Sequence, residues 1–201
     1  GARAGGRGGG GAMGGGAAGG GGPGVGGAGG GGGREGGVWD GCKGACGRRA
    51  RGGVRGGGAG GLPVVLGGVH GMAGGSLGGL AAAHGGPGGV IWFDAHTDMN
   101  TPQTSPSGNV HGMPLAIALR LTDDPRFRSD AWPVPMVVED HTVLVGVRSV
   151  DEGEKRRLRE LGVHVFTMYD IDRRGIGRIV EEAVALASGG AFLHVSLDMD
   201  V

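Results

Sequence analysis

Five short, continuous apolar runs separated by stretches of helical spacing constrain the fold of this chain more than any other feature. They are Leu62-Pro63-Val64-Val65-Leu66, Val90-Ile91-Trp92-Phe93, Thr142-Val143-Leu144-Val145-Gly146-Val147, Val163-His164-Val165-Phe166 and Ala191-Phe192-Leu193-His194-Val195. Apolar residues follow one another without alternating with polar ones, which marks strands of a parallel sheet covered on both faces. Between the runs, residues 75–84, 112–121, 151–161 and 173–188 carry helical spacing. Ser149 stands ahead of Asp151, Glu152 and Glu154, and Lys155, Arg156, Arg157 and Arg159 follow, a charge order that suits a helix dipole. Repeated strand-helix order predicts an α/β fold with right-handed crossovers.

A chain of 201 residues can form one domain with a sizeable core. Its 54 glycines are unevenly spread, with 33 in the first 60 residues. Glycine brings no apolar side chain and loses the most backbone entropy on ordering. Residues 1–36 are therefore expected to be a disordered, low-complexity leader, and residues 37–201 the folded domain. The formal charge of zero divides unequally. Residues 1–60 hold eight Lys/Arg and two Asp/Glu, and the rest holds eleven and seventeen. Arg7, Arg51 and Arg55 each precede a Gly pair, but few aromatics accompany them, so nucleic-acid binding is not expected. There is no signal-peptide pattern and no apolar stretch long enough to span a membrane, which predicts a cytoplasmic protein without membrane attachment. Cys42 and Cys46 form neither a disulfide framework nor a four-ligand zinc site.

In α/β folds the ligand crevice lies beyond the carboxyl ends of the strands. Four runs here lead into polar groups: His70, then Asp94-Ala95-His96-Thr97-Asp98, then Arg148 to Asp151, then Asp198-Met199-Asp200. Asp94, His96 and Asp98 recur at period two and would share one side of an extended segment, as would Asp198 and Asp200. Gathered carboxylates cannot all stay ionised without positive charge among them. Two divalent cations would supply it, and a thiol-free set of carboxylates and imidazoles favours Mn²⁺ over structural Zn²⁺. The plainer alternative is a capped turn with solvated acids. His164 and His194 read as core residues with a satisfied hydrogen bond, His84 as a helix end, His141 as a strand start with no obvious partner, and Trp92 as packing.

These residues resemble the arginase branch of the ureohydrolase family. The likeness lies in Leu66-Gly67-Gly68-Val69-His70, in Asp94 to Asp98, in the string from Asn100-Thr101-Pro102 through Ser105-Pro106-Ser107-Gly108-Asn109-Val110-His111-Gly112-Met113-Pro114, in Val147 to Glu154, and in Ser196 to Asp200. It covers about residues 62–201, with Val69 and Gly71 where the family usually has aspartate and serine.

The resemblance implies a three-layer α/β sandwich around a central, mainly parallel sheet, incomplete because the chain would be a fragment lacking the carboxyl-terminal third. It implies hydrolysis of L-arginine to L-ornithine and urea through a hydroxide bridging two Mn²⁺. His70, Asp94, Asp98 and Asp198 would bind one ion, and Asp94, His96, Asp198 and Asp200 the other. His111 would shuttle the proton. Asn100, Ser105, Ser107 and Asn109 would receive the substrate carboxylate, directly or through water. Asp151, with Glu154 nearby, would receive the α-amino group, although both acids equally suit a helix N-terminus. A homo-oligomer, trimer or hexamer, is implied for the full-length protein. Another ureohydrolase, acting on agmatine or a guanidino acid, and an inactive metal-binding fragment remain the alternatives.

Overall fold

The computed structural model describes residues 64–127 and 135–201. The glycine-rich stretch 1–36, the domain boundary at 37 and the Cys42/Cys46 pair lie outside these residues.

Four strands, β1 (Gly88–Phe93), β2 (Val137–Val147), β3 (His164–Thr167) and β4 (Leu193–Leu197), form one parallel sheet in the order β3-β2-β1-β4. Among the described residues five α-helices flank it: α1 (Met72–His84), α2 (Pro114–Ala118), α3 (Glu152–Glu160), α4 (Met168–Arg174) and α5 (Ile176–Ala187). On the central strand β1, Val90 and Trp92 point into a core shared with Leu77 and Ala81 of α1 and with Leu115 and Ile117 of α2. Ile91 points to the opposite face, where Val143 and Val145 meet Ile179, Ala183 and Ala187 of α5. Helices therefore cover both faces, and the three-layer α/β expectation holds.

Burial rather than propensity holds α1. Gly74, Gly75, Gly78 and Gly79 all lie inside it, each costing about 1 kcal/mol relative to alanine. Every one of them is buried, so the helix backbone can sit close against its neighbours.

Several local expectations change. Residues 64–66, the described part of the first apolar run, form no strand, and Val64 and Leu66 are exposed. His70 consequently sits in the turn before α1 rather than at a strand exit. The helix expected over 112–121 shrinks to the five residues of α2, because the chain turns at Arg120 with φ 60°. The helix expected over 173–188 is two helices, α4 and α5, separated at Gly175, whose φ of 82° and ψ of 141° suit only glycine. Asp151 caps α3, in a reciprocal capping box with Glu154. The strand β4 lies at the sheet edge, and Leu193, Val195 and Leu197 are exposed, so it is not covered on both faces.

Candidate metal centre

The carboxyl ends of β1, β2 and β4 open onto a cavity of about 510 Å³. Its walls include His70, Asp94, His96, Asp98, Asp198 and Asp200, together with Asn100, Ser105, Ser107, His111, Asp151 and Glu154. Of the residues expected to bind metal or substrate or to shuttle the proton, Asn109 alone is outside this lining. It stands at the head of a 3₁₀ turn (Val110–Gly112) that carries His111.

The acidic segment after β1 does not reach the cavity as an extended strand. It bends through residues 94–96, and Asp98 has φ 52°, a left-handed conformation that aspartate tolerates better than most residues. The carbonyl of Asp98 accepts the backbone N–H groups of Leu115 and Ala116, so the start of α2 holds the strained residue in place. On the other strand, Asp198 and Asp200 lie in a turn just after β4, where the Arg148 guanidinium donates to the Asp200 carbonyl.

His70 Nδ1 faces three carboxylates, 2.7 Å from Asp94 Oδ2, 3.0 Å from Asp98 Oδ2 and 3.4 Å from Asp198 Oδ2. His96 Nδ1 lies 3.2 Å from both Asp94 Oδ1 and Asp200 Oδ2. Two ligand groups result, His70/Asp94/Asp198 and Asp94/His96/Asp200, each with donor atoms within 4.8 Å of one another. Asp94 belongs to both.

Neighbouring groups fix these ligands. Ser196 Oγ lies 2.8 Å from His70 Nε2, and the Trp92 ring stacks on the imidazole with centroids 4.1 Å apart. Trp92 was expected only to pack, yet its indole N–H also donates to Asp94 Oδ2 at 3.2 Å.

The electrostatics call for a cation. Burial lowers the basicity of His70, but the carboxylates of Asp94 and Asp98 outweigh it and raise its pKa to about 9. Burial drives Asp98 the other way, up to about 7, with the charges of Asp94 and Glu154 adding and His70 opposing. Although burial works upward on Asp94 too, hydrogen bonds from His70 and from the His96 backbone hold it below the usual carboxylate range. Asp98 Oδ2 lies 3.0 Å from His70 Nδ1 but accepts no well-directed hydrogen bond, leaving a buried carboxyl oxygen without a partner. A hard divalent cation satisfies such an oxygen, and the carboxylate-imidazole donor set fits one.

Across the cavity, Ser105 and Ser107 lie on a loop closed on itself. Their hydroxyls accept the backbone N–H groups of Gly108 and Asn109, at 3.0 and 3.2 Å. Asn100 Nδ2 donates to Asp151 Oδ2 at 2.6 Å. Burial works upward on Asp151, but this bond and the amides of Glu154 and Gly153 hold its carboxyl below the usual range. Glu154 is 4% exposed, and its carboxylate accepts from Thr97 Oγ1, the Met99 N–H and the Asp151 N–H. The sequence pointed to Glu154 but not to Thr97, because a threonine between two acidic ligands gives no signal of its own.

The remaining histidines stand apart from this cavity. His164 meets the Asp140 carbonyl at 3.1 Å and His141 the Leu186 carbonyl at 2.9 Å, so His141 does have a partner. His84 ends α1 as expected. His194, half-buried on β4, has no hydrogen bond among the described residues, against the expectation of a satisfied core histidine.

A parallel sheet with helices on both faces of its inner strands, and carboxylates and imidazoles clustered beyond its strand ends, defines an α/β protein with a candidate metal centre. A family model described as Arginase family matches residues 50–201, and the chain belongs to that family. It is 48% identical over 140 residues to an arginase of Bacillus caldovelox, covering 69% of this chain and 46% of that protein. With Arginase-1 of Homo sapiens it shares 41% over 146 residues, covering 69% and 44%. The chain thus spans about half the length of the curated relatives it matches. Among solved structures, the native Bacillus caldovelox arginase aligns with a TM-score of 0.70 at 41% identity, over 82% of this chain and 52% of that one. An Entamoeba histolytica arginase in complex with L-ornithine aligns at 0.70 and 31%, over 83% and 54%. No helix among the described residues is long and apolar enough to cross a membrane.

Proposed function

We propose that this chain carries the metal and substrate site of a manganese-dependent arginase that converts L-arginine and water to L-ornithine and urea. The observation that carries the reading is one cavity with a six-residue carboxylate-imidazole cluster on one wall and a loop of neutral donors beside Asp151 on the other. His70, Asp94, Asp98 and Asp198 would hold one cation and Asp94, His96, Asp198 and Asp200 the other, Asp94 being the residue that both candidate groups share. When bound, two divalent cations supply Lewis-acid activation of water near neutral pH.

The chain's own groups do the rest. His111, exposed on its turn beside the cavity, carries a proton to the departing amine, a task suited to an imidazole. Asn100, Ser105, Ser107 and Asn109 receive the substrate α-carboxylate, with Asn109 acting through water from outside the cavity wall. Asp151, held ionised by its hydrogen bonds, receives the α-amino group. Glu154 acts through Asp151 and the metal-ligand bend, since its oxygens are already engaged. The Entamoeba histolytica relative in complex with L-ornithine supports an amino acid as the ligand.

Comparing urea release from L-arginine and agmatine by the manganese-loaded chain tests the reading. Urea from L-arginine alone supports it, and preference for agmatine moves the chain to another ureohydrolase activity. The exposed apolar edge of β4 favours one second reading, a metal-binding chain without turnover. A melting temperature that rises with manganese while no urea forms selects that one.

A further inference from the structure

The carboxylate-binding and amine-binding sides of the cavity are joined by hydrogen bonds with one direction. Arg157 Nη2 donates to Thr101 Oγ1 at 3.2 Å, and Thr101 Oγ1 lies 3.3 Å from Thr104 Oγ1. Thr104 Oγ1 accepts the Thr101 N–H at 2.9 Å and donates to Asn100 Oδ1 at 2.9 Å. Asn100 Nδ2 then donates to Asp151 Oδ2 at 2.6 Å. A hydroxyl has a single proton. Of its two acceptors, Asn100 Oδ1 at 2.9 Å is closer to Thr104 Oγ1 than the Thr101 carbonyl at 3.5 Å, and with the Thr104 proton on Asn100 the Thr101 hydroxyl is left to donate to Thr104. The donors therefore run from the Arg157 cation to the Asp151 anion, each bond polarising the next.

The Asp151 carboxylate, which can only accept, fixes which way the Asn100 amide faces, and the Thr104 hydroxyl holds its oxygen end in place. A flipped amide would set its oxygen against the Asp151 carboxylate and its NH₂ against the Thr104 hydroxyl. As oriented, one N–H of Asn100 holds Asp151, and the other remains available to a ligand in the cavity it lines. Gly153 lets the two segments meet this closely. A Cβ at that position would lie 3.2 Å from Asp151 Oδ1 and 3.3 Å from the Thr104 Cβ, tighter than ordinary contact.

We propose that Thr104 is a positioning residue that orients the Asn100 amide and so makes recognition of an α-amino acid's carboxylate and amino groups a single unit. This role rests on the amino-acid reading of the cavity. Thr104 does not touch the substrate. It acts through Asn100.

The test compares the parent chain with Thr104→Val and Thr104→Ser, all loaded with manganese. It reads KM and kcat for L-arginine, the Kd for L-ornithine and the affinity for manganese. Thr104→Val removes the hydroxyl that holds Asn100 and also meets the Thr101 N–H and hydroxyl, and is expected to raise KM and Kd roughly tenfold with kcat within about twofold, Thr104→Ser staying near the parent. Manganese affinity should not move, because no metal ligand touches Thr104. Should the parent bind L-ornithine without forming urea, the same tenfold contrast is read from Kd alone. The proposal is overturned if Thr104→Val keeps the parent's KM and Kd, or if kcat and manganese affinity fall together with them. A parent that neither binds L-ornithine nor forms urea overturns the amino-acid reading and this role with it.

Discussion

The carboxylate of Glu154 accepts the hydroxyl proton of Thr97 at 2.6 Å, joining the first turn of α3 to the bend that carries three acidic and imidazole groups of the cluster. Through the same side chain the Met99 and Asp151 amides are satisfied. The carboxylate-imidazole cluster and the Asp151 side of the cavity are thus braced by one buried acid.

Replacing Glu154 with Gln should weaken both walls. An amide presents N–H donors where Glu154 now presents only acceptors, so at least one buried backbone N–H or hydroxyl loses its partner, at about 1–3 kcal/mol. Denaturant unfolding should show that loss, and calorimetry should show weaker manganese binding. Parent-like values in both would place the brace elsewhere.

Ser196→Ala removes the hydroxyl 2.8 Å from His70 Nε2. Partners of this kind set imidazole orientation, and their loss commonly lowers metal affinity about 10–100-fold. Manganese titration of the variant checks this, and an unchanged affinity would mean that stacking on Trp92 alone holds the ring.

Gly175→Ala tests the break between α4 and α5. A side chain there is forced into a conformation costing about 1–3 kcal/mol, so the melting temperature should fall while manganese affinity stays at the parent value. A variant as stable as the parent would show that the two helices can rearrange freely.

Stability should also depend on His194. Burial, with the nearby His70 charge, lowers its pKa from 6.5 to about 4. The unfolded chain then binds the extra proton first, so stability is present above 6.5 and is lost as pH falls from there through about 4. Melting temperatures of the metal-free parent should decline over that window more steeply than those of His194→Gln. Superimposable profiles would contradict the assignment.

Much of this was legible from the residues because the same pattern specified strand, burial and site. The run from Val90 to Phe93 is apolar because β1 has helices on both faces, and its polar continuation marks the cavity. The apolar run at 62–66 gave the same signal, but its described residues pair with nothing, and pairing is a non-local property that periodicity cannot report. Gly175 was hidden among helix-spaced residues, since glycine fits a helix at modest cost as well as a break. At β4, apolar composition foretold the strand but not its place at the sheet edge. Glu154 was visible as an acid near the site. That its oxygens face Thr97 and Met99 depends on how two distant segments pack, which no spacing encodes.

Counting the manganese bound by the chain and by its Asp94→Ala variant tests the central claim most directly, because Asp94 belongs to both ligand groups. Two ions per chain are expected in the parent, and at most one, weakly held, in the variant. A parent that binds none, or a variant that still holds two, would contradict it.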